Sequence, residues 1–196
     1  AFVFTSTHGR GVGKTTTASL ICDIWGGAPS ITEREDWEAV RARLLSDEAL
    51  SQRCVLIDNL KSRLSRSGLE GAITATTIDG KKMYKGQFSR PNTLTWFITA
   101  NTPSLSRDLA ERAVIIKLGE AKHASNFSEW RSEFLKNKRP QLIADIIDWL
   151  SKEKEGKLKG SNLDRWSAWQ RGILERFANC NEIVEHYQKR RPEVDC

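Results

Sequence analysis

His8-Gly9-Arg10-Gly11-Val12-Gly13-Lys14-Thr15-Thr16 is the stretch on which the reading of this chain turns. Before it, Phe2–Thr5 is a short apolar run with β-branched and aromatic members, which predicts a strand. After it, residues 14–25 carry Ala18, Leu20, Ile21 and Ile24 and stop at Gly26-Gly27, which predicts a helix with a glycine terminus. A glycine-rich loop between a strand and a helix can turn successive backbone N–H groups inward around phosphate oxygens, and the helix N-terminus adds a favourable dipole. The pattern for such a loop is G-x-x-x-x-G-K-[ST]. Gly13-Lys14-Thr15 match it, while His8 stands at its first position, with Gly9 and Gly11 free to turn the backbone. Lys14 is expected to reach the β- and γ-phosphates and the Thr15 hydroxyl to bind Mg²⁺. Gly9, Arg10, Gly11, Val12, Gly13 and Thr16 complete the cradle. His8 reads as a loop residue rather than a catalytic one.

Further along, Cys54-Val55-Leu56-Ile57 is a continuous apolar run, as expected of a parallel strand buried on both faces, and it ends at Asp58. A carboxylate there can hold Mg²⁺ through water, the alternative being a helix cap. The next residue is Asn59, which cannot act as a general base, so Glu70 is a distant candidate for polarising water. Residues 93–100 (TLTWFITA) form another buried strand, ending at Asn101, whose amide could bond a γ-phosphate or the attacking water; a turn role is the alternative. Residues 104–111 predict a short helix or turn, and residues 113–118 (AVIIKL) a further strand. Arg112, just before that strand, is a candidate to reach the γ-phosphate of a neighbouring subunit, whereas Arg107 reads as a surface ion pair with Asp108 or Glu111. Ile31-Thr32 predicts an edge strand, residues 33–50 an amphipathic helix, and residues 59–75 loop and helix. Asp79-Gly80, inside residues 76–88, signals a hairpin.

The chain has 196 residues with a formal net charge of +6, 39% hydrophobic and 29% charged. That describes a folded α/β domain with a small appendage, not a disordered chain. No apolar run of about 18 residues predicts a membrane span, and the first residues read as a strand rather than a signal peptide. The sole methionine is Met83, so the chain reads as a fragment or processed product, with upstream domains missing. Cys22, Cys54, Cys180 and Cys196 form no C-x-x-C pair, which argues against a zinc site or disulfide framework and fits a reducing compartment. The charge is clustered: residues 61–92 hold 7 basic residues (Lys61, Arg63, Arg66, Lys81, Lys82, Lys85, Arg90) against Glu70 and Asp79. Clustered cations favour polyanions through counterion release; a solvated basic face is the alternative. Beyond Gly119 the pattern turns helical, with helices over residues 128–137 and 140–150, a Lys/Glu/Gly linker over 151–161 and a last helix over 163–187. Four of the seven tryptophans (Trp130, Trp149, Trp166, Trp169) fall there and read as helical core.

Taken together, the strings HGRGVGKTT, VLIDNLKS, LEGAITATTIDGKKMYKG and TWFITANTPSLSRDLAERAVIIKL resemble the AAA+-type P-loop ATPases, and more narrowly the superfamily 3 helicase-like replication ATPases of phages, plasmids and prophages. Residues 2–118 carry the resemblance. It implies a P-loop NTPase core over residues 1–120, a parallel sheet flanked by helices, followed by a helical extension (121–151), a linker (152–162) and a helical tail (163–196). It also implies ATP and Mg²⁺, catalytic roles for Lys14, Asp58, Asn101 and Arg112, and Mg²⁺ held by Thr15 and Asp58. Asp-Asn after the strand is a usual variant among those relatives. Near residues 76–88 the family places a β-hairpin that enters the pore of a hexameric ring, which puts Lys81, Lys82 and Lys85 against single-stranded DNA, with Tyr84 able to stack on a base. The resemblance further implies a homo-oligomer, an upstream primase or origin-binding domain, no membrane, and a cytoplasmic or host replication compartment. A non-translocating nucleotide switch, such as a helicase loader, is the second reading.

Overall fold

The computed structural model describes residues 1–9, 11–61, 64, 67–82, 85–120, 126–160 and 167–190. Arg10, Tyr84 and Trp166 lie outside them. The chain forms two compact units, with residues 1–120 in the first and Asn126–Arg190 as the second.

The first unit is an α/β layer structure. Five strands, β1 (Phe2–Ser6), β2 (Ser30–Ile31), β3 (Cys54–Leu60), β6 (Thr95–Ala100) and β7 (Val114–Leu118), form one parallel sheet in the order β2-β3-β6-β1-β7. The apolar runs alternate between its faces. Val3, Val55, Ile57, Trp96, Ile98 and Ile115 pack on one side with residues of α2 (Trp37–Leu44), α3 (Ser67–Thr74) and α4 (Arg107–Glu111). Phe4, Cys54, Leu56 and Phe97 pack on the other with Ala18 and Cys22 of α1 (Lys14–Ile24). Both faces are covered, which is why these strands read as unbroken hydrophobic stretches.

The order fixes where a ligand can bind. From β1 the chain crosses to β2 at one edge, and from β6 it crosses over β1 to β7 at the other edge. Neighbouring strands β1 and β6 thus send their connections in opposite directions, and the crevice outside their carboxyl ends is the switch point of an open α/β sheet. The expected helix over 33–50 is only α2, because Asp36 caps it through the amides of Glu38 (2.9 Å) and Ala39 (3.4 Å), and the residues after Leu45 turn into a separate short 3-10 segment, Ala49–Ser51.

The hairpin pairs β4 (Thr77–Lys82) with β5 (Gly86–Pro91), and Asp79-Gly80 lies inside β4 instead of at the turn. Gly80 is needed there for space: a Cβ would come within 2.9 Å of Arg41 Nε and Leu45 Cδ1.

In the second unit, α5 (Phe127–Ser151) is one helix where two were expected, with Pro140 in its interior. Proline removes one i→i−4 bond and crowds the preceding turn, but does not force a stop. Residues 152–160 are no free linker. Leu158 is buried, the Gly156 amide donates to Glu175 O (2.8 Å), and Leu158 N donates to Glu175 Oε1 (3.2 Å). Asn181 accepts from Lys159 N (3.0 Å) and donates to Lys157 O (3.0 Å). These contacts tie the segment to the 3-10 turn Leu174–Arg176 and to α7 (Cys180–Arg190), which follow α6 (Ser167–Ile173). No described helix is long and apolar enough to cross a membrane.

Candidate functional site

At the carboxyl end of β1 the loop over residues 7–13 turns on three glycines. Gly9, Gly11 and Gly13 have φ of 74°, 83° and 84°, a region other residues rarely adopt, and a Cβ on any of them would meet nothing within 4 Å. These glycine positions thus have open space beside them, while Val12 is buried. Gly13 is the N-cap of α1 without any side-chain cap, so the first amides of the helix remain available to an anion.

Lys14, the first helical residue, is only 9% exposed, and its Nζ donates to Gly9 O at 2.6 Å, bridging the loop. Burial pushes the Lys14 ammonium below its ordinary 10.5. A buried cation whose partner among the described residues is one neutral carbonyl, beside an open ring of glycine backbone, suits a polyanion.

Two strands away, β3 delivers Asp58. Thr15 Oγ1 donates to Asp58 Oδ1 at 2.7 Å, joining the loop to the strand, and Asp58 Oδ2 has no hydrogen bond among the described residues. Thr15 and Asp58 are hard oxygen donors side by side, and Mg²⁺ takes such a set together with phosphate oxygens, so the residues present fit that ion. Among the described residues no group of three or more His, Cys, Asp and Glu is gathered to hold a metal unaided.

One residue of this cluster escaped the sequence reading. Thr99 of β6, 1% exposed, donates to the same Asp58 Oδ1 at 2.6 Å and accepts from Asn59 N at 2.8 Å. Its only signal was a hydroxyl on a mainly apolar strand that also carries Thr95, two positions before Asn101. Here the β3–β6 register slips: Ile57 pairs with Ile98 and Leu60 with Ala100, so β3 holds one extra residue. Asn59 absorbs it with φ 55°, the sole non-glycine positive φ among the described residues, and asparagine tolerates that region better than most.

Asn101 follows β6 directly. Its carbonyl accepts from Thr5 Oγ1 (3.1 Å), and its amide side chain makes no hydrogen bond among the described residues. Lys14, Thr15, Asp58 and Asn101 thus converge on the carboxyl ends of β1, β3 and β6. Thr16 follows in α1; Arg10, also expected in the cradle, lies outside the described residues.

Arg112 does not join them. It precedes β7, whose Val114 pairs with Phe2, so it lies at the amino end of the parallel sheet, a strand length or about 16 Å from the loop. Its guanidinium bonds Thr74 Oγ1 (2.7 Å) and Asp108 Oδ1 (2.8 Å), with Nε buried and without a hydrogen bond among the described residues. Arg107 is 81% exposed and pairs with Glu111 at 3.4 Å. Glu70 is on α3, whose last residue, Thr74, meets Arg112 at that same amino end.

The expected basic trio divides. Along β4, Ile78, Gly80 and Lys82 face inward and Thr77, Asp79 and Lys81 outward. Lys82 is consequently not offered to solvent: its ammonium bonds Asp47 and lies 4.6 Å from the Phe88 ring centroid. Lys85 is 61% exposed and pairs with Asp47 at 3.2 Å; these two lysines hold the Asp47 carboxyl below its usual range. Lys81 is exposed, with no ion pair among the described residues. Arg90 is engaged too, 4% exposed and donating to Leu44 O (2.9 Å) at the end of α2 and to Ala49 O (2.8 Å) at the start of the 3-10 segment.

No family model matches the chain, and no curated protein does. Among solved structures, JCV helicase with a bound small molecule is 14% identical, covering 96% of this chain and 50% of that one at a TM-score of 0.48. JCV helicase in a further X-ray structure is 17% identical, covering 96% and 49% at 0.41. The apo NrS-1 C-terminal region is 13% identical, covering 95% and 56% at 0.47. The chain spans about half the length of these structures. Likeness at this level carries no chemical inference, which leaves the chain's own residues to supply one.

Proposed function

We propose that this chain is an ATP-hydrolysing module that works as an oligomer on single-stranded DNA, of the kind found in the helicase part of a replication protein. The observation that carries the reading is the meeting of an open three-glycine cradle, buried Lys14 and the Thr15–Asp58 pair at the switch point of a parallel sheet. In this reading the backbone amides of residues 9–15 and the Lys14 ammonium bind the phosphates. Thr15 and Asp58 hold Mg²⁺, which when bound neutralises phosphate charge. The Asn101 amide orients the attacking water or the γ-phosphate. Arg112 cannot serve its own loop, so any role at a phosphate is to a second copy, which requires it to exchange Thr74 and Asp108 for that phosphate. The outward lysines Lys81 and Lys85 grip the nucleic-acid backbone, with Lys82 holding the hairpin in place.

ATP hydrolysis by the chain, with and without single-stranded DNA, tests this. Lys14→Ala is expected to abolish it, and DNA is expected to stimulate it in a way that Lys81→Ala weakens. Hydrolysis that survives Lys14→Ala would remove the nucleotide assignment. A second reading, a nucleotide switch that does not translocate, is favoured by Asn59, because the residue after Asp58 cannot take a proton from water. Lys14-dependent turnover that ignores DNA would select it.

A further inference from the structure

Thr99 lies outside every role assigned above, yet its side chain bridges β6 to β3 where the ladder between them slips. Its hydroxyl has one proton and two lone pairs. The proton goes to Asp58 Oδ1, and a lone pair accepts the Asn59 amide that the extra residue in β3 has displaced from the ladder. One side chain therefore closes the irregularity and fixes the carboxylate it produces. Oδ1 already receives Thr15, so with Thr99 it has two donors, while Oδ2 keeps its lone pairs open. Two donors on one oxygen determine the rotation of the carboxyl group and which oxygen is presented.

We infer that Thr99 is a positioning residue for Mg²⁺ binding: it aims the open oxygen of Asp58. The inference rests on the nucleotide reading above. Outer-sphere partners of this kind commonly change metal affinity by about 10–100-fold when removed. Isosteric Thr99→Val removes the hydroxyl and leaves Lys14, the glycine cradle and Thr15 in place. A bolt that only held the fold would lower thermal stability and weaken every ligand together. A residue that aims Asp58 changes the Mg²⁺ requirement selectively.

The test is a titration of the full chain with a fluorescent ATP analogue, first in EDTA and then with increasing Mg²⁺. The expected result for Thr99→Val is EDTA-phase affinity within about two-fold of the parent and a Mg²⁺ midpoint raised about ten-fold. Thr99→Ser, which keeps the hydroxyl, should restore the midpoint. In an Asp58→Asn background, Thr99→Val should have no further effect on Mg²⁺. An unchanged midpoint in Thr99→Val, or a parallel loss in EDTA, overturns the inference while leaving the nucleotide reading intact. If the parent chain itself binds no nucleotide, the nucleotide reading fails and this inference falls with it. Should Thr99→Val not fold, Thr99→Ala carries the same comparison, and a parental midpoint there overturns the inference.

Discussion

Lys81 and Lys82 are neighbours in sequence with opposite surroundings, because a strand sends successive side chains to opposite faces. Charge counting cannot separate them. The proposed interface does: Lys81→Ala should weaken single-stranded DNA binding and lower the slope of log affinity against log salt by about 0.7, the value for one phosphate contact on a single strand. Lys82→Ala should lower the melting temperature of the chain, since it removes the cation over Phe88 and leaves Asp47 with Lys85 alone, and leave that slope unchanged. Equal slope changes for both would refute the division. The same contrast explains what was legible residue by residue. Lys14 and Thr15 belong to a contiguous pattern, and Asp58 ends a continuous apolar run, so local spacing finds them. Thr99, the Asp47 partner of Lys82 and the carbonyl partners of Arg90 depend on cross-strand register and helix placement, which no local pattern records.

At the level of elements, the strands of the sheet were legible because burial on both faces leaves a plain apolar signature. Segments whose order comes from tertiary contacts were not. Residues 152–160 have the composition of a solvated linker, yet Glu175 organises them by accepting from Leu158 N and pairing with Lys154 at 2.9 Å. The Lys154 ammonium first, and the Leu158 amide next, hold the Glu175 carboxyl below its ordinary 4.5. A carboxyl depressed by folding stabilises fully above its unfolded value and loses that contribution as pH falls through its folded one. The second unit should therefore weaken as pH drops below about 4.5, and Glu175→Gln should be less stable at neutral pH but flatter across the acid range. Thermal melts of parent and variant between neutral and acid pH check this; parallel curves would contradict it. The hairpin turn was misread for a related reason. Asp-Gly is a turn signal, but the close approach of Arg41 and Leu45 also demands a glycine, and sequence alone does not distinguish the two demands.

On the scale of the whole molecule, parallel strands put chemistry at one end of the sheet and Arg112 at the other. Under the proposed function this arrangement calls for a site shared between copies, through a head-to-tail contact that gives a ring where its rotation closes. Lys14→Ala and Arg112→Ala should each be inactive alone, yet mixed in equal amounts they should recover about a quarter of parental turnover, the fraction of contacts that unite two intact residues. No recovery, with co-assembly verified, would withdraw Arg112 from the shared site. The sheet order itself was not legible. Apolar runs announce buried strands but not which strand lies beside which, and only the order puts β6 between β1 and β3 and so brings Asn101 next to Asp58.

Between β5 and β6 there are three residues, 92–94, and the first is clamped: Asn92 Nδ2 donates to Ala72 O (2.6 Å) and Ala75 O (2.8 Å) at the end of α3. The hairpin therefore hands over to β6 through a link with little slack, and β6 is the strand that carries Thr99 and leads into Asn101. Under the proposed function, a load on the hairpin would reach Thr99 and Asn101 through this short link. Such coupling runs both ways by thermodynamic necessity. Whatever factor an occupied hairpin adds to nucleotide affinity, bound nucleotide must return to the hairpin's grip.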